Sequence, residues 1–392
     1  MKEFDMNKAY DYRNITDLIN NMREEYQEEM KNTGHVNIII AGKTGVGKST
    51  LINAAFRDDL AKTGMGRPVT DHCQKIEKEG VPIRIYDTVG LELDEARKQQ
   101  AIDEIRDLIR EKIDAGNEDE FIHCMWYCIQ SNSDRFEDAE QDFVKMISEE
   151  CDIPVILVIT KSYMKKHARE FAREIENFNL PVKSICCVLA QPYEEEDFVA
   201  KASGVTELVE KTIEFLPESA KRAYISAQKA SLKLKFEEAL DIIKQTAAMA
   251  FGAGYAPLPM ADAAVLIPIQ ATMFARITNV YGIKLTQGLI TALASSLLGI
   301  AGATFVGRAI VANLLKFIPV VGTIGGGTIS GATAGILTWG LGRTYIEIME
   351  KLFVGEINAD DLEKDDIKDE IEMILKNYLK KDKTELMEGT KD

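Results

Sequence analysis

The sequence predicts an α/β fold: a doubly wound, mostly parallel sheet, joined to a second, all-α region built from helices at the two ends of the chain. Three observations lead there. Between residues 35 and 217, short apolar runs alternate with amphipathic segments of helical period. A glycine-rich loop follows the first of those runs. From Gln245 to Tyr345 the chain then holds more than half of its 27 glycines and a single acidic residue, Asp262. Strands buried on both faces read as unbroken apolar runs, and helices between them supply the crossovers of a parallel sheet. A chain of 392 residues has length for two or three such domains.

Composition narrows the function. The formal net charge of −16 argues against broad nucleic-acid binding, which needs a basic footprint. The opening MKEFDMNKAYDYRN is too polar for a secretory signal, so a cytoplasmic protein is expected. Six cysteines (Cys73, Cys124, Cys128, Cys151, Cys186, Cys187) show no CxxC spacing and fall in apolar runs, as small buried hydrophobes do. The four histidines do not cluster, which weakens a metal-enzyme reading.

In chain order, residues 1–34 form one amphipathic helix, with Ile15, Leu18, Ile19, Met22, Tyr26 and Met30 on its apolar stripe. Such a helix must dock on something, because alone it is marginal. Strands are predicted at Val36–Ala41, Val81–Tyr86, Phe121–Ile129, Pro154–Thr160 and Lys183–Leu189, with helices at Leu93–Ile113, Glu137–Ile147 and Gly204–Leu216. Along His123–Ile129 alternation puts Cys124, Trp126 and Cys128 on one face, as core; Ser133 or Asp134 then caps a helix. A nucleotide-side role for Arg135 is the alternative. Glu218–Gln245 reads as a charged amphipathic helix or pair, and residues 356–392 as an acidic tail carrying a last docked helix. The domains expected are therefore 1–34, 35–217, 218–355 and 356–392.

The strongest motif is Gly42-Lys43-Thr44-Gly45-Val46-Gly47-Lys48-Ser49, a GxxxxGK[ST] loop placed directly after a strand. Glycines let successive N–H groups turn inward around phosphate, and the helix that follows adds its positive end. Lys48 is a point charge for the β- and γ-phosphates, and Ser49 a hydroxyl for Mg²⁺. Lys43, Thr44, Gly45, Val46, Gly47, Lys48, Ser49 and Thr50 are the expected nucleotide contacts.

With this loop the chain resembles P-loop GTPases of the translation-factor-related, Era/dynamin-like class, and further motifs stand in that family's order. Asp87-Thr88-Val89-Gly90 matches DxxG, which implies that Asp87 holds Mg²⁺ through water and the Gly90 N–H senses the γ-phosphate. Gly66-Arg67-Pro68-Val69-Thr70 resembles the first switch loop, with Thr70 as a further Mg²⁺ ligand. The base-reading motif keeps Thr160, Lys161 and Ser162 but has Tyr163 where an aspartate belongs, and Leu189-Ala190 stands where a backbone N–H would meet the guanine carbonyl. Leu91 follows Gly90 in place of glutamine, so no side chain there orients the attacking water. Gly45 replaces the asparagine with which some relatives hold potassium. Thr44 and Arg67 are the candidate catalytic substitutes, beside Lys48, Thr70 and Gly90.

Leu285–Gly307 and Phe317–Gly342 carry no charge, and each exceeds the ~20 residues a membrane-spanning helix needs. Small residues recur at every fourth position (Ser295, Gly299, Ala303, Gly307; Gly327, Gly331, Gly335), which suits close packing in a bilayer or in a buried bundle. Pro257–Ala263, Tyr281-Gly282 and Pro319–Gly322 resemble a helical domain of unknown function that follows the G domain in a group of bacterial GTPases. Immunity-related GTPases offer a looser parallel.

The resemblance implies a Mg²⁺-dependent, GTP-binding switch that hydrolyses GTP to GDP and phosphate, slowly unless activated. Implied partners are guanine nucleotide, a membrane surface through residues 247–342, and a second copy through the G domain. Two alternatives stay open: a dynamin-like membrane remodeller, and a nucleotide-binding module with little hydrolysis. An ATPase is a further, minor alternative, because Tyr163 carries no carboxylate to select guanine.

Overall fold

The computed structural model describes residues 12–63, 65–70, 73–88, 95–133, 135–196, 198–253, 262–293 and 331–388. They fall into two compact units, Thr33–Leu234 and a second made of Met1–Asn32 with Lys235–Asp392.

The first unit is built on a seven-stranded sheet of β1 (Val36–Ala41), β2 (Met65–Thr70), β3 (Cys73–Lys78), β4 (Val81–Thr88), β5 (Cys124–Gln130), β6 (Val155–Thr160) and β7 (Ser184–Cys187), in the order β2-β3-β4-β1-β5-β6-β7. From β4 to β7 every pairing is parallel. The central strands β1 and β6 are buried at every residue, as sequences apolar except for Asn37 and Thr160 require.

On one sheet face Ile39, Met125, Tyr127 and Leu157 pack with Ile105 and Ile109 of α4 (Glu95–Asp114), Phe143 of α5 (Asp138–Lys145) and Phe171 of α6 (Lys165–Glu176). On the other, Trp126 stacks on Phe56 and donates its indole N–H to Thr212 Oγ1 at 3.0 Å. That face is covered by α2 (Lys48–Ala55), which the one-turn α3 (Leu60–Thr63) follows, and by α7 (Val205–Ile213) and α8 (Glu218–Ala227). The predicted alternation of Cys124, Trp126 and Cys128 therefore separates two helix layers.

Two departures from expectation have local causes. Strands β2 and β3 pair antiparallel at the sheet edge; their sequences MGRPVT and CQKIEK are too poor in apolar residues to read as strands. Pro68 is tolerated because β2 is the edge strand, and the register shifts between Pro68 and Thr70. The sheet unit also continues past residue 217 through α8, whose Ala220, Ala223, Tyr224 and Ala227 are buried. A two-stranded hairpin, β8 (Tyr193–Glu195) and β9 (Phe198–Ala200), completes it.

The second unit is helical. Helix α9 (Leu232–Ala253) leads into it. Helix α1 (Tyr12–Asn32), with Leu18 and Met22 buried, packs on α10 (Asp262–Tyr281), which packs on α11 (Gly331–Val354), and α11 on α12 (Asp365–Glu388). Small residues here serve close helix contact: a Cβ on Gly342 would lie 2.7 Å from Ile243 Cγ1, and one on Gly340 2.6 Å from Leu379 Cδ2. The fully buried Lys235 donates to the Val280 carbonyl at the end of α10, 2.8 Å away, with the Phe353 ring beneath it. Thr278 and Tyr345 share a buried hydroxyl contact of 2.6 Å. Among the described residues no helix is long and apolar enough to cross a membrane. Of the two uncharged stretches, residues 294–307 and 317–330 lie outside the described residues.

Candidate functional site

The site lies at the carboxyl ends of the parallel strands, where open α/β sheets bind their ligands. Strand β1 ends at Ala41 and the chain leaves the sheet at Gly42, whose φ of 137° is closed to other residues. The loop closes with Val46 N–H donating to the Lys43 carbonyl at 3.3 Å. Helix α2 then begins at Lys48, with Gly47 in the left-handed region as its N-cap. A glycine loop that runs into a helix N-terminus is the arrangement by which backbone N–H groups receive an anion.

Lys48 is 8% exposed. Its Nζ donates to the Gly42 carbonyl at 2.7 Å, approaches the Lys43 carbonyl at 3.5 Å, and stands 3.8 Å from Asp87 Oδ1. Asp87 faces Ile40 across the β1–β4 ladder, level with the start of the loop. Its Oδ1 is buried without a hydrogen-bond partner. Burial pushes the Asp87 carboxyl above the usual carboxylate range, and the Lys48 ammonium opposes that shift.

A buried, under-satisfied carboxylate oxygen beside the phosphate loop is what a Mg²⁺ ion with its waters would satisfy. Cys73 pairs with Thr70 on one side and Thr88 on the other, so Thr70 and Thr88 share a row at this end. Ser49, in the first turn of α2, is exposed. Asp87 thus fits a divalent ion, with the Ser49 hydroxyl exposed at the start of α2 and Thr70 at the same end of the sheet.

Other expected residues are placed as follows. The Lys43 side chain turns away from the loop to Glu137 at 2.8 Å and Glu140 at 3.5 Å, at the start of α5. Burial alone would lower the Lys43 ammonium, but those two carboxylates outweigh it and hold it above its ordinary value. Only the backbone of Lys43 remains for phosphate. Thr44 is exposed, Gly45 has open space around it and Thr50 is half-buried. Gly90 and Leu91 lie outside the described residues. The Arg67 backbone sits opposite Lys75 in the β2–β3 pair, and its side chain lies outside the described residues. Arg135 is exposed, and Asp134 lies outside the described residues.

At the base end, Thr160 is buried and its hydroxyl lies 2.6 Å from the Val46 carbonyl and 3.1 Å from that of Ile129. It is a strut between β6 and the phosphate loop, a role the sequence did not signal. Replacing it by valine keeps the shape and strands the Val46 carbonyl. We expect about 1–2 kcal/mol of lost stability, measured as a lower urea midpoint, together with weakened nucleotide binding.

Lys161 adopts φ 52° and its Nζ reaches Gln130 Oε1 at 3.3 Å. Ser131 Oγ secures the Lys161 carbonyl at 2.9 Å. Ser162 is buried and bonded to the Ile159 and Val188 carbonyls. The Leu189 N–H is committed to the Ser203 carbonyl, 2.9 Å away, which leaves Ala190 as that loop's candidate donor. Tyr163 stacks on Tyr193 of the β8–β9 hairpin, a partner 30 positions away that no spacing rule reveals.

A family model described as 50S ribosome-binding GTPase matches residues 37–161, and one described as a domain of unknown function, DUF697, matches residues 219–378. Over 110 residues the chain is 29% identical to magnetosome membrane protein 22 of Magnetospirillum gryphiswaldense, covering 28% of this chain and 56% of the relative. It is 24% identical over 184 residues to Septin-4 of Macaca fascicularis, covering 40% and 38%. It is 30% identical over 125 residues to translocase of chloroplast 101 of Physcomitrium patens, covering 31% and 12%. The chain thus spans about half the length, or less, of these curated relatives. Among solved structures, the cytosolic domain of the T. maritima FeoB iron transporter in a GDP form aligns over 81% of this chain and 97% of its own, at 15% identity and a TM-score of 0.29. Cdc11 of Saccharomyces cerevisiae aligns over 46% and 76%, at 22% identity and a TM-score of 0.27.

Proposed function

From a chain that joins a P-loop GTPase domain to a C-terminal DUF697 helical domain, we propose a Mg²⁺-dependent GTPase whose nucleotide state controls its helical unit. The observation that supports this is the buried Lys48 ammonium 3.8 Å from Asp87, at the point where the glycine loop passes into α2. Lys48 and the loop backbone bind and orient the phosphates, and Ser49, Thr70 and Asp87 would hold the metal. When bound, such an ion would supply neutralisation of phosphate charge. Gly90 reports the γ-phosphate; Thr44 and Arg67 are the groups proposed to act on the transferring phosphoryl. With Leu91 unable to orient water, hydrolysis is slow until a partner or a second copy completes the site.

A membrane is the proposed place of output. Two observations favour it: the uncharged stretches within residues 247–342, and relatives named for a magnetosome membrane and a chloroplast translocase. Flotation of the full chain with liposomes, loaded with GDP or a non-hydrolysable GTP analogue, tests the coupling. Flotation in the analogue state alone is expected. Equal behaviour in both states contradicts nucleotide control of the helical unit.

A further inference from the structure

In the motif that this chain resembles, the position of Tyr163 belongs to an aspartate that reads the base. Tyr163 offers no carboxylate. Its ring lies against Tyr193, with centroids 4.6 Å apart and planes 17° from parallel. Rings at that separation are already in contact, so no base enters between them, and the pair forms a wall.

Tyr193 opens the hairpin three residues after Ala190, the candidate donor to the base. The hairpin is fixed at its foot, where Leu189 and Ser203 exchange two backbone hydrogen bonds of 2.9 Å. Tyr193 pairs with Ala200 and Glu195 with Phe198 across it, and the Phe198 ring lies 6.3 Å from that of Tyr193. The Tyr193 hydroxyl donates to Glu195 Oε2. Side chains alternate along a strand, so Tyr193 and Glu195 share one face and Glu194 takes the other. A carboxylate is thereby held by the hydroxyl of Tyr193, the ring that stacks on Tyr163.

Resting on the guanine-nucleotide reading above, we propose that Glu195 is the base-reading carboxylate of this chain, carried on the β8–β9 hairpin and oriented by Tyr193 stacked on Tyr163. A carboxylate has about four lone-pair sites, so one hydrogen bond from Tyr193 leaves room for two more. Those accept from the guanine N1–H and the 2-amino group. Adenine presents a lone pair at N1 and no 2-amino group, so the same carboxylate repels it.

Isothermal titration of the full chain with Mg²⁺ and GDP, IDP, XDP or ADP tests this. The wild type is expected to bind GDP more tightly than IDP, which lacks the 2-amino donor, and to bind XDP and ADP weakly. Glu195→Gln weakens GDP about 10- to 100-fold, the range for losing hydrogen bonds to a charged acceptor. It also improves XDP, because a carboxamide N–H can donate to the C2 carbonyl of xanthine. Tyr193→Phe costs less, since the carboxylate survives without its orienting hydroxyl, and Glu194→Gln leaves all four affinities unchanged. Unchanged GDP affinity and unimproved XDP binding in Glu195→Gln overturn the assignment of Glu195 alone. Failure of the wild type to bind any of the four overturns the nucleotide reading of the site, and this inference with it.

Discussion

Replacing Lys48 by alanine is expected to weaken GTP and GDP binding by between about 30-fold and several thousand-fold, the 2–5 kcal/mol that truncating one partner of a buried charged pair costs. The ammonium is enclosed, with two loop carbonyls and the Asp87 carboxylate around it. The variant carries a second signature. Asp87 loses the cation that opposes the upward push of burial, so its folded-state carboxyl rises further above the unfolded value. A carboxyl raised in the folded state binds more protons there than when unfolded, so stability falls as pH rises through the interval between the two values. Lys48→Ala is therefore least stable at neutral pH and recovers on acidification into that interval, relative to wild type. Fluorescent-nucleotide titration reads the first effect, and urea midpoints at a series of pH values read the second. Wild-type affinity in this variant would mean that the phosphates are held elsewhere.

Gly42→Ala is expected to lose about 2–6 kcal/mol of stability. Left-handed strain accounts for about 1–3 of this and steric overlap for a similar amount. The position has φ 137°, and an added Cβ would stand 2.3 Å from the Cys128 carbonyl oxygen of β5. That oxygen belongs to a buried strand and cannot swing away as a side chain tip would. Relief must come from moving the loop off the sheet, which also moves the N–H groups that would face phosphate. Gly45→Ala isolates the strain: its φ is +74° but nothing lies within 4 Å of the new Cβ, so about 1–3 kcal/mol is the whole cost. Urea denaturation of both variants, with GDP titration alongside, checks the contrast. Equal losses would show that the contact with β5 is not what fixes Gly42.

These two residues also show what was legible in the sequence. The loop from Gly42 to Ser49 could be read because its constraint is local: strand, glycines, lysine, hydroxyl and helix are contiguous, and each has a chemical reason at its own position. The buried strands β1, β5 and β6 were legible for the same reason, since a strand covered on both faces needs no partner in view to declare itself. Edge strands β2 and β3 were not, because MGRPVT and CQKIEK become strands only through pairing with β4. Thr160 was expected as part of the base-reading motif, and its hydroxyl is found at the Val46 carbonyl, 114 positions away. Lys43 was expected among the nucleotide contacts, and its side chain is found at Glu137 and Glu140. In both cases a motif told where the backbone runs, and the side chain's destination was set by elements remote in sequence. The stack of Tyr163 on Tyr193 is the strongest case, since the substitution was visible and its partner was not.

The measurement that tests the account most directly is phosphate release from GTP by the full chain, with Mg²⁺ and with the metal chelated, beside Lys48→Ala. Slow release that requires the metal and disappears in the variant is the predicted result. Release that is indifferent to Mg²⁺, or equal in wild type and Lys48→Ala, would contradict a phosphate site built from the glycine loop, Lys48 and Asp87.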